Sequence, residues 1–244
     1  TSKKTSNDDW IEKLDNALVS ASSQNKGITK ENLHFCIAVW GQTLNENDIT
    51  EWLSAYTEPK KSTRLALVMA GNIPLVGLHD VICGLASGCS IEAKCSSSDT
   101  TLLPFIVDFL ISVMPEWKDK VCFTEEKLTT YDKVIATGSN NTARYFEYYF
   151  KKKPHIIRKT RNGIAVLDGK ETHKDLAALC QDMMQYFGLG CRSVSHLMVP
   201  EGYDFNDLFL ALYEHKDLIQ HNAYANNYDY NKAVYLMQEQ ELLE

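Results

Sequence analysis

The chain has 244 residues, 44% of them hydrophobic, enough to bury a sizeable core as one large domain or two smaller ones and too apolar for a disordered or fibrous protein. Its net charge of −7, with acids and bases mixed along the sequence, sets up no field that would draw in nucleic acid or an anionic membrane, so nucleic acid is not expected as a partner. No stretch approaches the run of about twenty apolar residues that spans a bilayer, and the polar start, Thr1 to Asp9, has no signal-peptide core, so the expectation is a soluble protein of the cytoplasm.

The first part reads as helices. Trp10, Ile11, Leu14 and Leu18 recur at helical spacing, as do Leu33, Ile37 and Trp40 and then Ile49, Trp52, Leu53 and Tyr56, with Thr29 and Asn45 as N-caps of the second and third helices. The polar segment Glu58-Pro59-Lys60-Lys61-Ser62 closes this helical region, residues 1–60. From Leu65 to Ala70 a run of small and branched residues predicts a strand buried on both faces, broken by Gly71-Asn72-Ile73-Pro74. There follow an apolar helix from Leu75 to Ala86, a strand from Ser90 to Lys94, a helix from Leu102 to Met114, and strands near Val121 and from Lys133 to Ala136. This alternation predicts an α/β fold, a doubly wound parallel sheet that binds nucleotides at the carboxyl ends of its strands. The last strand runs into Thr137-Gly138-Ser139-Asn140-Asn141 and a helix through Tyr149, completing a nucleotide-binding domain over residues 61–155.

After the basic turn Lys151-Lys152-Lys153-Pro154 comes a second unit, residues 156–244, whose first strand runs from Gly163 to Asp168. A helix near His173 to Phe187 places Leu176, Leu179, Cys180, Met183 and Phe187 on one face and stops at Gly188. The loop Gly188-Leu189-Gly190-Cys191-Arg192 leads into a strand from Val194 to Val199, and a further helix carries Phe205, Leu208, Phe209 and Leu212. The Asn/Tyr-rich stretch Asn222 to Tyr235 reads as a surface turn followed by a helix.

Seven single cysteines, with no CxxC and no Cys/His cluster, indicate neither a disulfide framework nor a zinc site, and they suit a reducing compartment in which one thiol can serve chemistry. Cys36, Cys83 and Cys180 read as core residues. Cys191 differs, because it lies in a glycine-bracketed loop beside Arg192, where the backbone can bend, a cofactor can approach and a thiolate is favoured. On spacing alone a packing cysteine in a tight turn is the stronger reading. The junctions at Gly71-Asn72-Ile73-Pro74 and Gly138-Ser139-Asn140 are candidate phosphate cradles, each on its own equally an ordinary turn with an N-cap. Together, at the carboxyl ends of parallel strands, they favour a nucleotide crevice. Lys94, followed by Cys95-Ser96-Ser97-Ser98, either holds a ribose or its phosphate or is a solvated lysine before a serine-rich cap. The seven histidines show no metal spacing, and no metal is expected.

Three ordered segments carry a family resemblance. Val68-Met69-Ala70-Gly71-Asn72-Ile73-Pro74-Leu75, Ile135-Ala136-Thr137-Gly138-Ser139-Asn140-Asn141-Thr142-Ala143-Arg144 and Phe187-Gly188-Leu189-Gly190-Cys191-Arg192 closely resemble the LuxC-like acyl-CoA reductases and, more distantly, the aldehyde dehydrogenases. The resemblance implies an aldehyde dehydrogenase-like fold in which Cys191 attacks an acyl-CoA thioester, with the Asn72 side chain and the Cys191 backbone N–H as the oxyanion hole. It implies that coenzyme A leaves, that hydride from a nicotinamide cofactor reduces the thioacyl enzyme, and that an aldehyde is released. By the same resemblance Gly71, Thr137, Gly138 and Ser139 border the cofactor, the last three at its pyrophosphate, while Lys94 and Ser97 lie by the adenosine ribose.

Two departures refine that implication. Where many oxidising relatives carry a glutamate that activates water, Ile157-Arg158-Lys159-Thr160-Arg161-Asn162-Gly163 has no carboxylate, as a reductase of thioesters requires. Ser97 stands near the acidic residue that NAD-preferring relatives often place against the 2′-hydroxyl, which favours NADPH, with NADH also accommodated. Family members begin earlier and continue past the position of Glu244, so the second domain, which carries Cys191 as catalytic residue, is expected to be incomplete. A homo-oligomer is expected by analogy. The alternatives are an acyl-phosphate reductase of the same fold and a non-catalytic subunit, and the aromatic residues Tyr203, Phe205, Phe209, Tyr224 and Tyr228 suit an acyl chain better than a small polar acid.

Overall fold

The computed structural model describes residues 6–25, 27–57 and 61–238. The expected break at Glu58, Pro59 and Lys60 and the expectation attached to the end at Glu244 lie outside them. The chain forms two compact units, Thr1–Thr160 and Arg161–Glu244. Among the described residues no helix is long and apolar enough to cross a membrane.

The first unit begins with three helices, α1 (Ser6–Gln24), α2 (Lys30–Thr43) and α3 (Glu46–Ser54). Both expected N-caps form: Thr29 Oγ1 accepts the Asn32 N–H at 3.2 Å and Asn45 Oδ1 accepts the Asp48 N–H at 3.0 Å. α1 buries Ala17, Leu18 and Ala21 and sets Trp10 edge-on to Phe109 at 5.3 Å. α2 buries Leu33 and Cys36, whereas α3 buries none of its side chains.

Five parallel strands follow: β1 (Arg64–Val68), β2 (Ser90–Lys94), β3 (Val121–Phe123), β4 (Lys133–Thr137) and β5 (His155–Arg158), in the order β3-β2-β1-β4-β5. The central β1 has Leu65, Ala66 and Leu67 buried, as an apolar run without alternation requires of a strand covered on both sides. On one face Ala66, Val134 and Ala136 pack with Phe150 of α6 (Asn140–Phe150). On the other, α4 (Leu78–Ala86) approaches so closely that a Cβ on Gly84 would stand 2.8 Å from Ile91 Cδ1 and 3.1 Å from Leu65 Cδ2. Leu67, Leu78, Val81 and Val134 are almost wholly excluded from water, each worth about 1.5–3 kcal/mol. α5 (Leu102–Val113) joins β2 to β3. The edge strand β5 has no counterpart among the expected elements.

In the second unit β6 (Gly163–Val166) pairs in parallel with β7 (Val194–Met198), with an irregularity between Gly163 and Ile164. Between them runs α7 (His173–Met184), started by a reciprocal capping box: Thr172 Oγ1 accepts the Asp175 N–H, and Asp175 Oδ2 accepts the Thr172 N–H at 2.9 Å. Leu176, Leu179 and Cys180 of α7 form a core with Leu167 and with Leu208 and Ala211 of α8 (Asn206–Tyr213). α7 ends three residues earlier than its periodicity predicts, because Tyr186 and Phe187 take left-handed φ values of 55° and 58°. Asn222 to Tyr235 is helical from its start, within α9 (Asn222–Met237).

Candidate functional site

In the strand order β3-β2-β1-β4-β5 the chain leaves β1 toward one side of the sheet and returns through β4 on the other, so the carboxyl ends of β1 and β4 flank a topological switch point. Register brings the ends level: Val68 pairs with Lys94 and with Ala136, and Thr137 with Arg158. The segments after β1, β2 and β4 therefore share one sheet edge. That edge carries Gly71 and Asn72, Lys94 and Ser97, and Thr137, Gly138 and Ser139.

Gly71 is buried because nothing larger fits. A Cβ there would stand 2.4 Å from Ser98 Oγ and 2.6 Å from Ser96 Cβ, and the Ser98 hydroxyl donates to the Gly71 carbonyl at 3.0 Å. Asn72 is exposed, three residues before Leu75. Leu75 is buried with φ 53°, a left-handed state that costs a non-glycine residue on the order of 1–2 kcal/mol. Helix α4 therefore starts at Leu78 rather than at the expected Leu75, with the Leu78 N–H donating to the Leu75 carbonyl at 3.0 Å. Burial holds the Asp99 carboxyl above the usual carboxylate pKa, with the Leu75 and Leu102 backbone amides opposing it. Behind the loop, the Cys36 thiol meets the Pro74 carbonyl at 3.4 Å.

The Lys94 ammonium donates to the backbone carbonyls of Glu125 at 2.8 Å and Glu126 at 3.5 Å, so it ties the segment after β3 to β2. Ser97 is exposed at the tip of the following turn. Ser96 and Ser98 point back toward Gly71 and meet each other at 2.9 Å. The β4 end is stitched differently. The Gly138 N–H donates to the Arg158 carbonyl at 3.1 Å, and Ser139 caps α6, its Oγ accepting the Thr142 N–H at 3.2 Å. The backbone amides of the first α6 turn have no partners within the helix, which suits an anion. Arg158 also reaches across to α4, where Nη1 donates to Asp80 Oδ2 at 2.5 Å, and Asp80 is the buried charged residue of that helix.

Asp80, Asp99 and Arg158 were not among the residues singled out from sequence. An acid inside the apolar run Leu78 to Ala86 is the one local signal for Asp80, since a charge on a buried helix needs a partner. Arg158 has no such signal, because its partner Asp80 comes from a distant segment.

In the second unit Cys191 sits at the tip of a four-residue turn closed by the Ser193 N–H donating to the Gly190 carbonyl at 3.0 Å. The turn is pinned to β6, where the Gly163 N–H donates to the Ser193 carbonyl at 2.9 Å and a Cβ on Gly163 would come within 2.8 Å of the Arg192 carbonyl oxygen. Upstream, Gly188 has φ 72° and completes the left-handed stretch begun by Tyr186 and Phe187. Of the seven cysteines only Cys122 and Cys191 are exposed. Burial pushes the Cys95 thiol up to about 11 and also raises Cys83, next to Asp80, and Cys180. Burial therefore disfavours the thiolate form of those three, and the reading of Cys191 as a buried packing cysteine does not hold, since it is exposed.

Tyr203 and Phe205 pack on the α7–α8 core, and Phe209 stacks on Phe205 at 6.0 Å. Tyr224 lies near Phe187 and stacks on Tyr228 at 6.5 Å. No group of His, Cys, Asp and Glu among the described residues could hold a metal ion.

No family model and no curated protein matches the chain. Solved structures do. A NAD-dependent benzaldehyde dehydrogenase from Corynebacterium glutamicum superposes with a TM-score of 0.62 at 12% identity, over 84% of this chain and 50% of that one. Aldehyde dehydrogenase 21 from Physcomitrella patens, solved with the reaction product succinate, gives 0.51 at 17% identity over 61% and 33%. The aldehyde dehydrogenase KauB from Pseudomonas aeruginosa gives 0.50 at 17% over 64% and 34%. The chain thus spans half the length of the first of these and about a third of the others, and over that span it has the α/β fold of the aldehyde dehydrogenases.

Proposed function

We propose that the protein is an NADPH-dependent acyl-CoA reductase, converting a long-chain acyl thioester to an aldehyde through an acyl group carried on Cys191. The observation that carries this reading is an exposed cysteine on a glycine-bracketed turn, in a chain of aldehyde dehydrogenase-like fold whose parallel sheet offers Asn72 and the Thr137–Ser139 segment at its switch-point edge. The Cys191 thiolate attacks the thioester carbonyl carbon. An N–H of the Asn72 side chain and the Cys191 backbone N–H donate to the oxygen as it becomes negative. The carbon–sulfur bond to coenzyme A breaks, and the acyl group remains on Cys191.

The residues at the sheet edge fit a nicotinamide nucleotide. Helix α6 presents its first-turn amides beside Ser139 for the pyrophosphate, and the Ser97 turn presents hydroxyls. When bound, NADPH supplies the hydride that reduces the acyl carbon, after which the bond to Cys191 sulfur breaks and aldehyde is released. Preference for NADPH is supported by Ser97 being neutral and exposed at the sheet edge. Lys94 spends its ammonium on two carbonyls and serves that phosphate only through the local positive potential. In the stretch where oxidising relatives activate water, Arg158 engages Asp80 and Lys159 pairs with Glu147 at 2.7 Å, so this segment brings no base to the acyl enzyme.

The test is incubation of the purified protein with palmitoyl-CoA in the absence of nucleotide, followed by intact-mass and peptide measurement. An added palmitoyl mass on Cys191, discharged as aldehyde on addition of NADPH, is the expected result. No adduct on Cys191 under conditions where the protein is folded would defeat the reading.

A further inference from the structure

We propose that Arg158, anchored on Asp80, is a direct contact for the phosphates of the bound nucleotide at the switch-point crevice. The residue stands at the carboxyl end of the edge strand β5, in register with Thr137 of β4. Side chains on β4 alternate between the faces of the sheet. Val134 and Ala136 pack with Phe150 of α6, so Thr137 falls on the opposite face, the one that α4 covers, and its register partner Arg158 falls there too. From that position the guanidinium crosses the carboxyl edge to the first turn of α4, where Nη1 donates to Asp80 Oδ2 at 2.5 Å.

The pair is unevenly placed. The Asp80 side chain is 9% exposed and that of Arg158 31%, so the carboxylate is the buried end and the cation is the end that meets solvent. A brace between β5 and α4 is made as well by apolar side chains. A buried carboxylate that holds a guanidinium at an open sheet edge does what apolar side chains cannot: it fixes a positive charge there, in the planar, multi-donor form that suits phosphate oxygens. The same edge favours an anion for a second reason, because Thr137 leads through Gly138 into the first-turn amides of α6. The Gly138 N–H donates to the Arg158 carbonyl at 3.1 Å, so the entry to α6 and the guanidinium are tied to one residue.

That the anion is a nucleotide rests on the function proposed above, and the experiment separates the two. Arg158→Gln alone leaves Asp80 buried without its cation. The variant used is therefore the double one, Asp80→Asn with Arg158→Gln, which keeps a hydrogen-bonded pair of similar size, the net charge of the chain and the backbone bond to Gly138. NADPH and inorganic pyrophosphate are each titrated into the full chain by calorimetry, once melting curves show that the double variant folds. Its affinity for both falls on the order of tenfold or more, as expected for the loss of one charge-assisted contact.

Wild-type affinity of the folded double variant for both ligands overturns the assignment. So does a loss confined to NADPH, which puts the contact away from the phosphates. If the double variant does not fold, Arg158→Lys, which keeps a charge opposite Asp80 but not the planar fork, is titrated instead and decides by the same two outcomes. If the wild type binds pyrophosphate through Arg158 but does not bind NADPH, the cofactor reading falls and the phosphate contact stands. If it binds neither, both fall.

Discussion

The two units treat their candidate residues in opposite ways. In the first, a five-stranded sheet is covered on both faces, and the residues at its carboxyl edge are held by partners from other segments: Gly71 by Ser98 and Gly138 by Arg158. In the second, a two-stranded sheet covers one face with α7 and α8 and leaves Ile164, Val166 and Met198 at 63%, 76% and 60% exposure. Its cysteine stands exposed at the tip of a turn closed by the Ser193 N–H on the Gly190 carbonyl and pinned to β6 only through backbone groups. Where long-range contacts hold a residue, substitution acts through stability and placement. Where the side chain itself stands exposed, substitution acts on chemistry.

The sharpest test of that contrast is Cys191→Ala. Removing an exposed thiol from a turn tip leaves the melting temperature unchanged while acyl transfer from palmitoyl-CoA falls on the order of a thousandfold or more. If Cys191→Ala instead lowers the melting temperature and leaves acyl transfer intact, the cysteine is a packing residue and the contrast breaks. Next in size is Arg158→Ala. Asp80 is only 6% exposed and would be left without its guanidinium partner. Breaking a buried pair costs roughly 3–5 kcal/mol, and the partial exposure of Arg158 reduces this toward the lower end. Urea unfolding followed by tryptophan fluorescence measures the loss, while the Gly138 N–H keeps its bond to the backbone carbonyl of residue 158. Gly71→Ala comes third. The added methyl forces Ser96 and Ser98 aside, which destabilises the first unit by about 1–3 kcal/mol, whereas Gly190→Ala in the second unit meets only Ser193 Oγ at 3.0 Å and should be milder in the same unfolding experiment.

Sequence reasoning reached the parts of this architecture that short range determines. The run Leu65 to Ala70 could only be a doubly covered strand, and Thr29, Asn45 and Ser139 declare themselves as caps because a side-chain oxygen two or three residues from a free amide is a local event. The three resemblance segments placed attention on Gly71, Asn72, Thr137 and Cys191 before any geometry was known. What stayed hidden depends on distance. Strand β5 is four residues with an exposed half, His155 and Ile156, and it exists because β4 lies beside it. Leu75, Tyr186 and Phe187 take left-handed backbone angles against their own preference, which tertiary contacts impose. Lys94 looked free to hold a phosphate because the carbonyls of Glu125 and Glu126 that occupy it come from thirty residues later in the chain.

The smallest effect is also the one that distinguishes the units by sign. Asp99 in the first unit has its pKa raised from the ordinary value of 3.8 by burial, with the Leu75 and Leu102 amides opposing. Asp175 in the second has its pKa lowered from 3.8 by the Thr172 hydroxyl and backbone N–H of the capping box. Between the unfolded value and the raised folded value the native state holds the Asp99 proton more tightly than the unfolded chain does, so this group's contribution falls as pH rises through that window. Asp175 behaves oppositely. Its contribution is present above 3.8 and is lost as pH falls through the lower folded value. Melting curves of Asp99→Asn and Asp175→Asn against the wild type, taken from pH 3 to pH 7 in about half-unit steps, should therefore slope in opposite directions: with rising pH the wild type loses ground to Asp99→Asn and gains it over Asp175→Asn. Parallel slopes would mean that the two carboxyls sit in equivalent surroundings, and the distinction between a half-buried acid at the sheet edge of the first unit and an acid on an open helix cap of the second would lose its electrostatic support.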